Sequence, residues 1–175
     1  MLSYWAYILI GNDNAGKTDF QKYLIGELCG SMYDKLPSNK KSIITHSQMP
    51  RGVKNLFTMG RSYQEKIQEY GDVANFFRNE FAQAEICILS SHAKESAPEH
   101  VGDMITELRR RAYNVASVFF SNKYNESAEE ISLLGWNERL WLSNPPLKSD
   151  AEIQAQIKRR AEEFAQFLIA RARLH

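Results

Sequence analysis

Gly11, Gly16, Lys17 and Thr18 stand at the spacing G-x-x-x-x-G-K-T, between an apolar run and a helix-like segment. Those residue types at that spacing suit the grip of a phosphate chain. Glycines let the backbone wrap closely around phosphate oxygens. The N–H groups of Asn12, Asp13, Asn14, Ala15 and Gly16 make an anion-binding concavity, and the first turn of the following helix extends it. Lys17 adds a mobile positive charge for the β- and γ-phosphates, and the Thr18 hydroxyl is expected to ligate Mg²⁺. The implied cofactor is a nucleoside di- or triphosphate with Mg²⁺; GTP and ATP are not distinguished by this loop.

The elements that must position this loop alternate along the chain. Tyr4 to Ile10 reads as a buried strand, and Lys17 to about Cys29 as a helix with Phe20, Tyr23, Leu24 and Leu28 on one face. Residues 31–41 are polar and read as a loop. Two short strands, 42–48 and 53–59, flank a turn at Pro50, Arg51 and Gly52. Residues 63–82 read as helix, broken near Gly71. Residues 85–91 are a strong buried strand, and 98–112 form a helix with Pro98 in its first turn. Residues 115–121 form another buried strand. A short helix follows at 127–134, then a last strand at 138–143. One long helix runs from Asp150, with Ile153, Ile157, Phe164 and Leu168 on a single face. The fold class is α/β. It is expected to be a three-layer P-loop NTPase fold, a mostly parallel sheet of about six strands with one antiparallel edge strand and helices on both faces.

The bulk numbers set the frame. A chain of 175 residues suits one domain spanning 1–175. Its 43% hydrophobic and 25% charged content is ordinary for a globular protein. A net charge of +1 gives no reason to expect bulk nucleic-acid binding. No run reaches the roughly 18 apolar residues of a membrane span, and the apolar start lacks a signal peptide's basic flank. Cys29 and Cys87 sit in apolar surroundings without metal-like spacing, which fits reduced thiols and a cytoplasmic location.

The stretch G-N-D-N-A-G-K-T resembles the phosphate loop of the ADP-ribosylation-factor branch of small GTPases, where G-L-D-x-A-G-K-T is typical. The resemblance extends over almost the whole chain in the order of its elements. Pro37-Ser38 precedes the second strand, where that family has its switch threonine, so Ser38 is the implied Mg²⁺ ligand beside Thr18. L-F-T-M-G-R-S, Leu56 to Ser62, falls where the family reads like L-D-T-A-G-Q, and Gly60 is implied to offer its N–H to a γ-phosphate. Asn122, Lys123 and Asn125 follow the fifth strand where N-K-x-D is typical. Ser143 lies at the family's base-contacting turn.

The departures bear on activity. Phe57 replaces the aspartate that orients the Mg²⁺ shell. Arg61 replaces the glutamine that positions the attacking water; it is a candidate for phosphate contact but cannot place water in that way. Asn125 replaces the aspartate that pairs with guanine. An amide offers one acceptor oxygen and brings donors of its own, a mismatch of about 1–3 kcal/mol.

Other residues are read more plainly. Asp13 is part of the loop's architecture in the look-alike branch. Ser90, Ser91 and His92 follow a buried strand, where ligand-facing residues sit in open α/β sheets, but no G-x-S-x-G accompanies them. His46, His100 and His175 have no metal-ligand spacing with Cys or Asp. Arg109, Arg110 and Arg111 end a helix, where positive charge complements the dipole.

Three functions fit this reading. The first is a GTPase-like switch or scaffold with slow or absent hydrolysis, meeting a protein partner through residues 31–63. The second is a small nucleotide or metabolite kinase, with Arg109, Arg110 and Arg111 serving a lid and Glu85 or Asp103 as a base. The third is an interaction domain that has lost turnover. Strand order is expected to separate the first two. A GTPase-like core contains the antiparallel pair at one sheet edge. A kinase-like core lacks it and sets the strand at 85–91 beside the first strand.

Overall fold

The computed structural model describes residues 4–120 and 126–174. Its centre is a six-stranded sheet: β1 (Tyr4–Ile10), β2 (Asn39–Ile43), β3 (Asn55–Met59), β4 (Ile86–Ser91), β5 (Tyr113–Phe120) and β6 (Glu138–Leu142). The order across the sheet is β2-β3-β4-β1-β5-β6. All neighbouring pairs are parallel except β2 with β3, which are antiparallel, with Lys41 opposite Phe57. The architecture is therefore α/β with one antiparallel pair at the edge, as expected. The two strand-order criteria give a divided answer: the antiparallel pair is present, and β4 also lies beside β1.

The side-chain alternation of β1 explains the layers. Ala6, Ile8 and Ile10 point into one apolar cluster, and Tyr7 and Leu9 into the other. The first cluster is covered by α3 (Val73–Asn79), α4 (Ala97–Arg110) and α5 (Glu126–Ser132). The second is covered by α1 (Lys17–Cys29) and α6 (Asp150–Arg173). Phe164 of α6 is the hinge pin of that second layer. Its ring lies 5.3 Å from Tyr7 and 5.6 Å from Phe20, and Phe20 in turn meets Phe120 edge-on at 5.5 Å. Strand, first helix and last helix are thus locked together directly beneath the 11–18 loop.

Two boundaries differ from expectation. The first strand of the antiparallel pair is Asn39–Ile43, not 42–48. The polar stretch with Lys40 and Lys41 pairs because β2 is an edge strand, where lysines are tolerated and discourage further pairing. The apolar residues after it instead turn toward α1: Thr45 and His46 donate their N–H groups to the Leu28 carbonyl at 2.9 and 3.0 Å. The helix expected at 63–82 is three pieces: a 3₁₀ turn at Tyr63–Lys66, α2 at Ile67–Tyr70, and α3. The break falls at Gly71, with Asp72 capping α3 through the Asn75 N–H at 2.7 Å. Among the described residues no helix is long and apolar enough to cross a membrane.

One contact joins the layer to the loop. Gly16 has φ +91°, and a Cβ placed there would lie 2.6 Å from Ile157 Cδ1 of α6. Only glycine allows both that backbone and that close seat. Ile157 is 3% exposed. Ile157→Ala is expected to cost about 2–5 kcal/mol in a urea unfolding titration, because it opens a cavity against a loop that cannot collapse into it.

Candidate functional site

The carboxyl ends of the parallel strands converge on one edge of the sheet. There the 11–18 loop leaves β1, Gly60 and Arg61 leave β3, His92 leaves β4, and Asn144 follows β6. This edge is where open α/β sheets carry their ligands. A cavity of about 350 Å³ opens on it. Asp13, Asn14, Ala15, Gly16, Lys17 and Thr18 form one wall; Gly60, Arg61, Ser62 and Glu65 face them. α1 points its first turn into this cavity, and the N–H groups of a first turn have no intrahelical partners. Gly60 and Arg61 are thus brought to the loop across 42 residues of sequence, as the motif series implies.

Lys17 is the centre of the wall. Its side chain folds back so that Nζ donates to the carbonyls of Gly11 at 2.5 Å and Asn12 at 2.9 Å. Burial lowers its pKa from the ordinary value of 10.5 to about 8, against the pull of Asp13 and Glu65. Asp13 sits at the mouth. The hydrogen bond that Lys94 donates to it, at 2.8 Å, holds its carboxyl below the usual carboxylate range. His92 is 6% exposed, and burial lowers its pKa while Asp13 opposes the shift.

A chain of hydrogen bonds couples three segments around Thr18. The Thr18 hydroxyl donates to the Gly60 carbonyl at 2.9 Å, and the Gly60 N–H donates to the Ser38 carbonyl at 2.8 Å. In this conformation the Gly60 N–H, expected to face a phosphate, is engaged by Ser38. A Cβ on Gly60 would lie 2.7 Å from the Pro37 carbonyl, so glycine is what lets the 36–38 segment come so close. Ser38 lines an adjoining cavity of about 410 Å³ with Leu36 and Lys66, and Arg61 and Glu65 form the partition between the two.

Other expected residues are placed differently. The side chain of Phe57 is 1% exposed and packs 5.0 Å from Phe81 in the core, away from the cavity. Ser143 is exposed, and its carbonyl accepts from Arg160 at 2.9 Å. Its neighbour Asn144 is the buried one. Asn144 donates to the Ala15 carbonyl at 2.9 Å and accepts from Gln156 at 2.7 Å, pinning the loop from behind. Asn122, Lys123 and Asn125 lie outside the described residues. Arg109, Arg110 and Arg111 stand at the opposite edge of the sheet, because α4 runs antiparallel to its strands and ends there. Arg110 and Arg111 pair with Glu107, and Arg109 donates to the Gly135 carbonyl, so they are no lid over this cavity. Glu85 precedes β4 at that same far edge, away from this cavity, and accepts from the Asn55 N–H at 2.7 Å.

Several residues at the site carry no local signature. Gln21 is fully buried and donates to the Met59 carbonyl at 3.0 Å and to Ser90 Oγ at 2.9 Å, tying α1 to the ends of β3 and β4. Its only trace is a polar residue four after Lys17, on an otherwise apolar face. Glu65 accepts from the Ser62 N–H at 3.1 Å, and its place three residues after Ser62 is a helix-capping pattern. Four buried polar atoms near the loop have no hydrogen-bond partner: Asn12 Oδ1, Gln21 Oε1, Ser62 Oγ and His92 Nε2. Buried polar groups are nearly always paired, so such a cluster marks room for water, an ion or a ligand. No protein-family model matches this chain, and no curated protein matches it in sequence.

The titration of Lys17 has a defined sign. Between about pH 8 and 10.5 the unfolded chain holds a proton that the folded chain has released, so this group makes stability rise with pH across that window. Urea unfolding of wild type and Lys17→Met from pH 7 to 10 is expected to show the wild type gaining on the variant by an amount on the order of 3 kcal/mol. A pH-independent difference between the two would refute the shift.

Proposed function

We propose that this chain binds a nucleoside phosphate with its 11–18 loop and acts as a small-GTPase-like switch or scaffold with slow or absent hydrolysis. The observation that carries this reading is the buried Lys17 ammonium beside the open first turn of α1. Both border a cavity of about 350 Å³, a size suited to a nucleotide's phosphates and sugar. Backbone amides and one ammonium favour a polyphosphate over any neutral ligand. The antiparallel β2–β3 pair and the Thr18–Gly60–Ser38 chain support the switch form of the reading.

The residues fit a Mg²⁺-bound polyphosphate. Thr18 keeps free lone pairs on its hydroxyl oxygen, and Ser38 stands on the neighbouring segment. Mg²⁺ would supply charge neutralisation on the phosphate oxygens. Lys17 would meet the β- and γ-phosphates, and Arg61 would approach from the facing wall. A ligand that takes the Gly60 N–H competes with the Ser38 carbonyl, so occupancy shifts the 36–38 segment; that is the switch. Hydrolysis is expected to be slow because Phe57 and Arg61 supply neither a metal-orienting carboxylate nor a water-positioning amide. A protein partner would then read residues 31–63.

The position of β4 beside β1 favours a second reading, a small nucleotide or metabolite kinase. Phosphate moved from ATP to an acceptor in a pooled-metabolite assay would establish it and remove the switch.

Mass spectrometry of nucleotide that co-purifies, with and without Mg²⁺, identifies the base. Lys17→Ala is expected to weaken nucleotide binding at least tenfold, roughly 1.4 kcal/mol, in titration calorimetry. Because an anion favours the protonated amine, wild-type affinity is expected to fall as pH rises through about 8. The Lys17→Ala protein should lack that dependence. Unchanged affinity in the variant would remove Lys17 from the site. Turnover at ~1 s⁻¹ or faster would remove the slow-switch reading.

A further inference from the structure

His92 Nε2 lies 2.9 Å from Asp13 Oδ1 and 3.5 Å from Glu65 Oε1, yet it forms a hydrogen bond with neither. Both contacts are ion-pair distances, charged only when the imidazole is protonated. The ring nitrogen thus lies near one oxygen of each of two carboxylates. One ligand atom from each of Asp13, Glu65 and His92 falls within 4.8 Å of the others. The His92 side chain is only 8% exposed, so its unpaired nitrogen lies inside the protein rather than in bulk solvent. Ser62 Oγ, on the same cavity, is likewise buried and unpaired.

We propose that Asp13, Glu65 and His92 form a binding site for a transition-metal dication of the Zn²⁺ kind at the margin of this cavity, which Asp13 and Glu65 line. Bonds of about 2.1 Å place neighbouring ligand atoms about 3.0–3.5 Å apart, close to the separations around Nε2. The donor set selects the ion. Imidazole with carboxylates suits Zn²⁺ and its first-row neighbours, whereas Mg²⁺ takes oxygen ligands and keeps its waters. Two carboxylates balance the charge of one dication.

The supporting contacts are those of an outer shell. Each carboxylate has its second oxygen held by a cation. Lys94 donates to Asp13 Oδ2 at 2.8 Å, and Arg61 lies 3.4 Å from Glu65 Oε2. Glu65 Oε1 also accepts from the Ser62 N–H. The backbone of His92 is clamped by Gln64, whose Oε1 accepts the His92 N–H at 3.1 Å and whose Nε2 donates to Ser91 Oγ at 2.9 Å. Three segments far apart in sequence, at 13, 65 and 92, thereby hold their ligand atoms together without a ligand-spacing motif. Three donors leave open coordination positions, as in catalytic zinc centres.

The test uses chelator-stripped full-length protein and the metal alone. Titration calorimetry with Zn²⁺ is expected to show one micromolar or tighter site, and Co²⁺ a visible absorption band that Zn²⁺ abolishes. Asp13→Asn, at an exposed position, and Glu65→Gln are each expected to weaken Zn²⁺ binding at least about tenfold, with circular dichroism unchanged. His46→Ala removes another histidine and should leave binding intact. Lys17→Ala should also keep Zn²⁺ while losing nucleotide, so failure of the metal site and failure of the nucleotide reading are told apart. Absence of Zn²⁺ binding, binding untouched by Asp13→Asn and Glu65→Gln, or Mg²⁺ bound in preference to Zn²⁺ at these residues would each overturn the proposal.

Discussion

A buried ammonium is the constraint on which the site depends. Lys17 is 8% exposed, and the hydrogen bonds it makes go to two backbone carbonyls, Gly11 and Asn12. Carbonyl dipoles satisfy its donors but do not cancel its charge, which is why burial pulls its pKa down to about 8. To keep the ammonium there, the loop must curl so that the end of β1 offers carbonyls inward and leaves the amides of α1 facing the cavity. That curl needs Gly16 at φ +91°, the Ile157 seat from α6, and the Asn144 bond to the Ala15 carbonyl. The last strand and last helix therefore serve the first loop.

The strand order carries the next level. With β4 between β3 and β1, the end of β4 sits beside the loop, and Gln21 bridges from α1 to the ends of both β3 and β4. His92 thereby meets Asp13, and Gly60 still reaches Thr18. The Ser38–Gly60–Thr18 chain links the 36–38 segment to the first turn of α1 through two hydrogen bonds. The arrangement seen is the engaged one; the proposed switch requires a second, released one in which a ligand takes the Gly60 N–H.

Much of the fold was legible from hydrophobic periodicity. β1, α1, β3, β4, β5 and α6 fall close to the expected positions because each buries a long apolar face. β2 did not, because an edge strand carrying Lys40 and Lys41 has no buried face to betray it, while Ile43 at its end and Ile44 just after it mimic one. At the site, the 11–18 loop was legible because its chemistry is contiguous. Asn144, Gln21 and Glu65 were not, since their roles depend on partners 129, 38 and 27 or more residues away. His92 was noticed for its place after a strand, but nothing local names Asp13 and Glu65 as its neighbours. The arginine lid is misplaced for a topological reason: a helix that starts at the ligand edge of a parallel sheet ends at the other, and Arg109, Arg110 and Arg111 end one.

The charge arrangement of the cavity binds the two proposals together. On the proposed reading, an anionic phosphate chain drawn in by Lys17 would meet Asp13 and Glu65, whose carboxylates repel it. Lys94 and Arg61 offset part of that repulsion from outside, but both are about half exposed and screened by solvent. A dication held by Asp13, Glu65 and His92 would turn the same wall from repulsive to attractive at close range, where screening is least. Metal and phosphate would then each strengthen the other's binding, and by linkage the two enhancements must be equal. If both proposals hold, the acidic groups beside the 11–18 loop would make its grip on phosphate conditional on a metal.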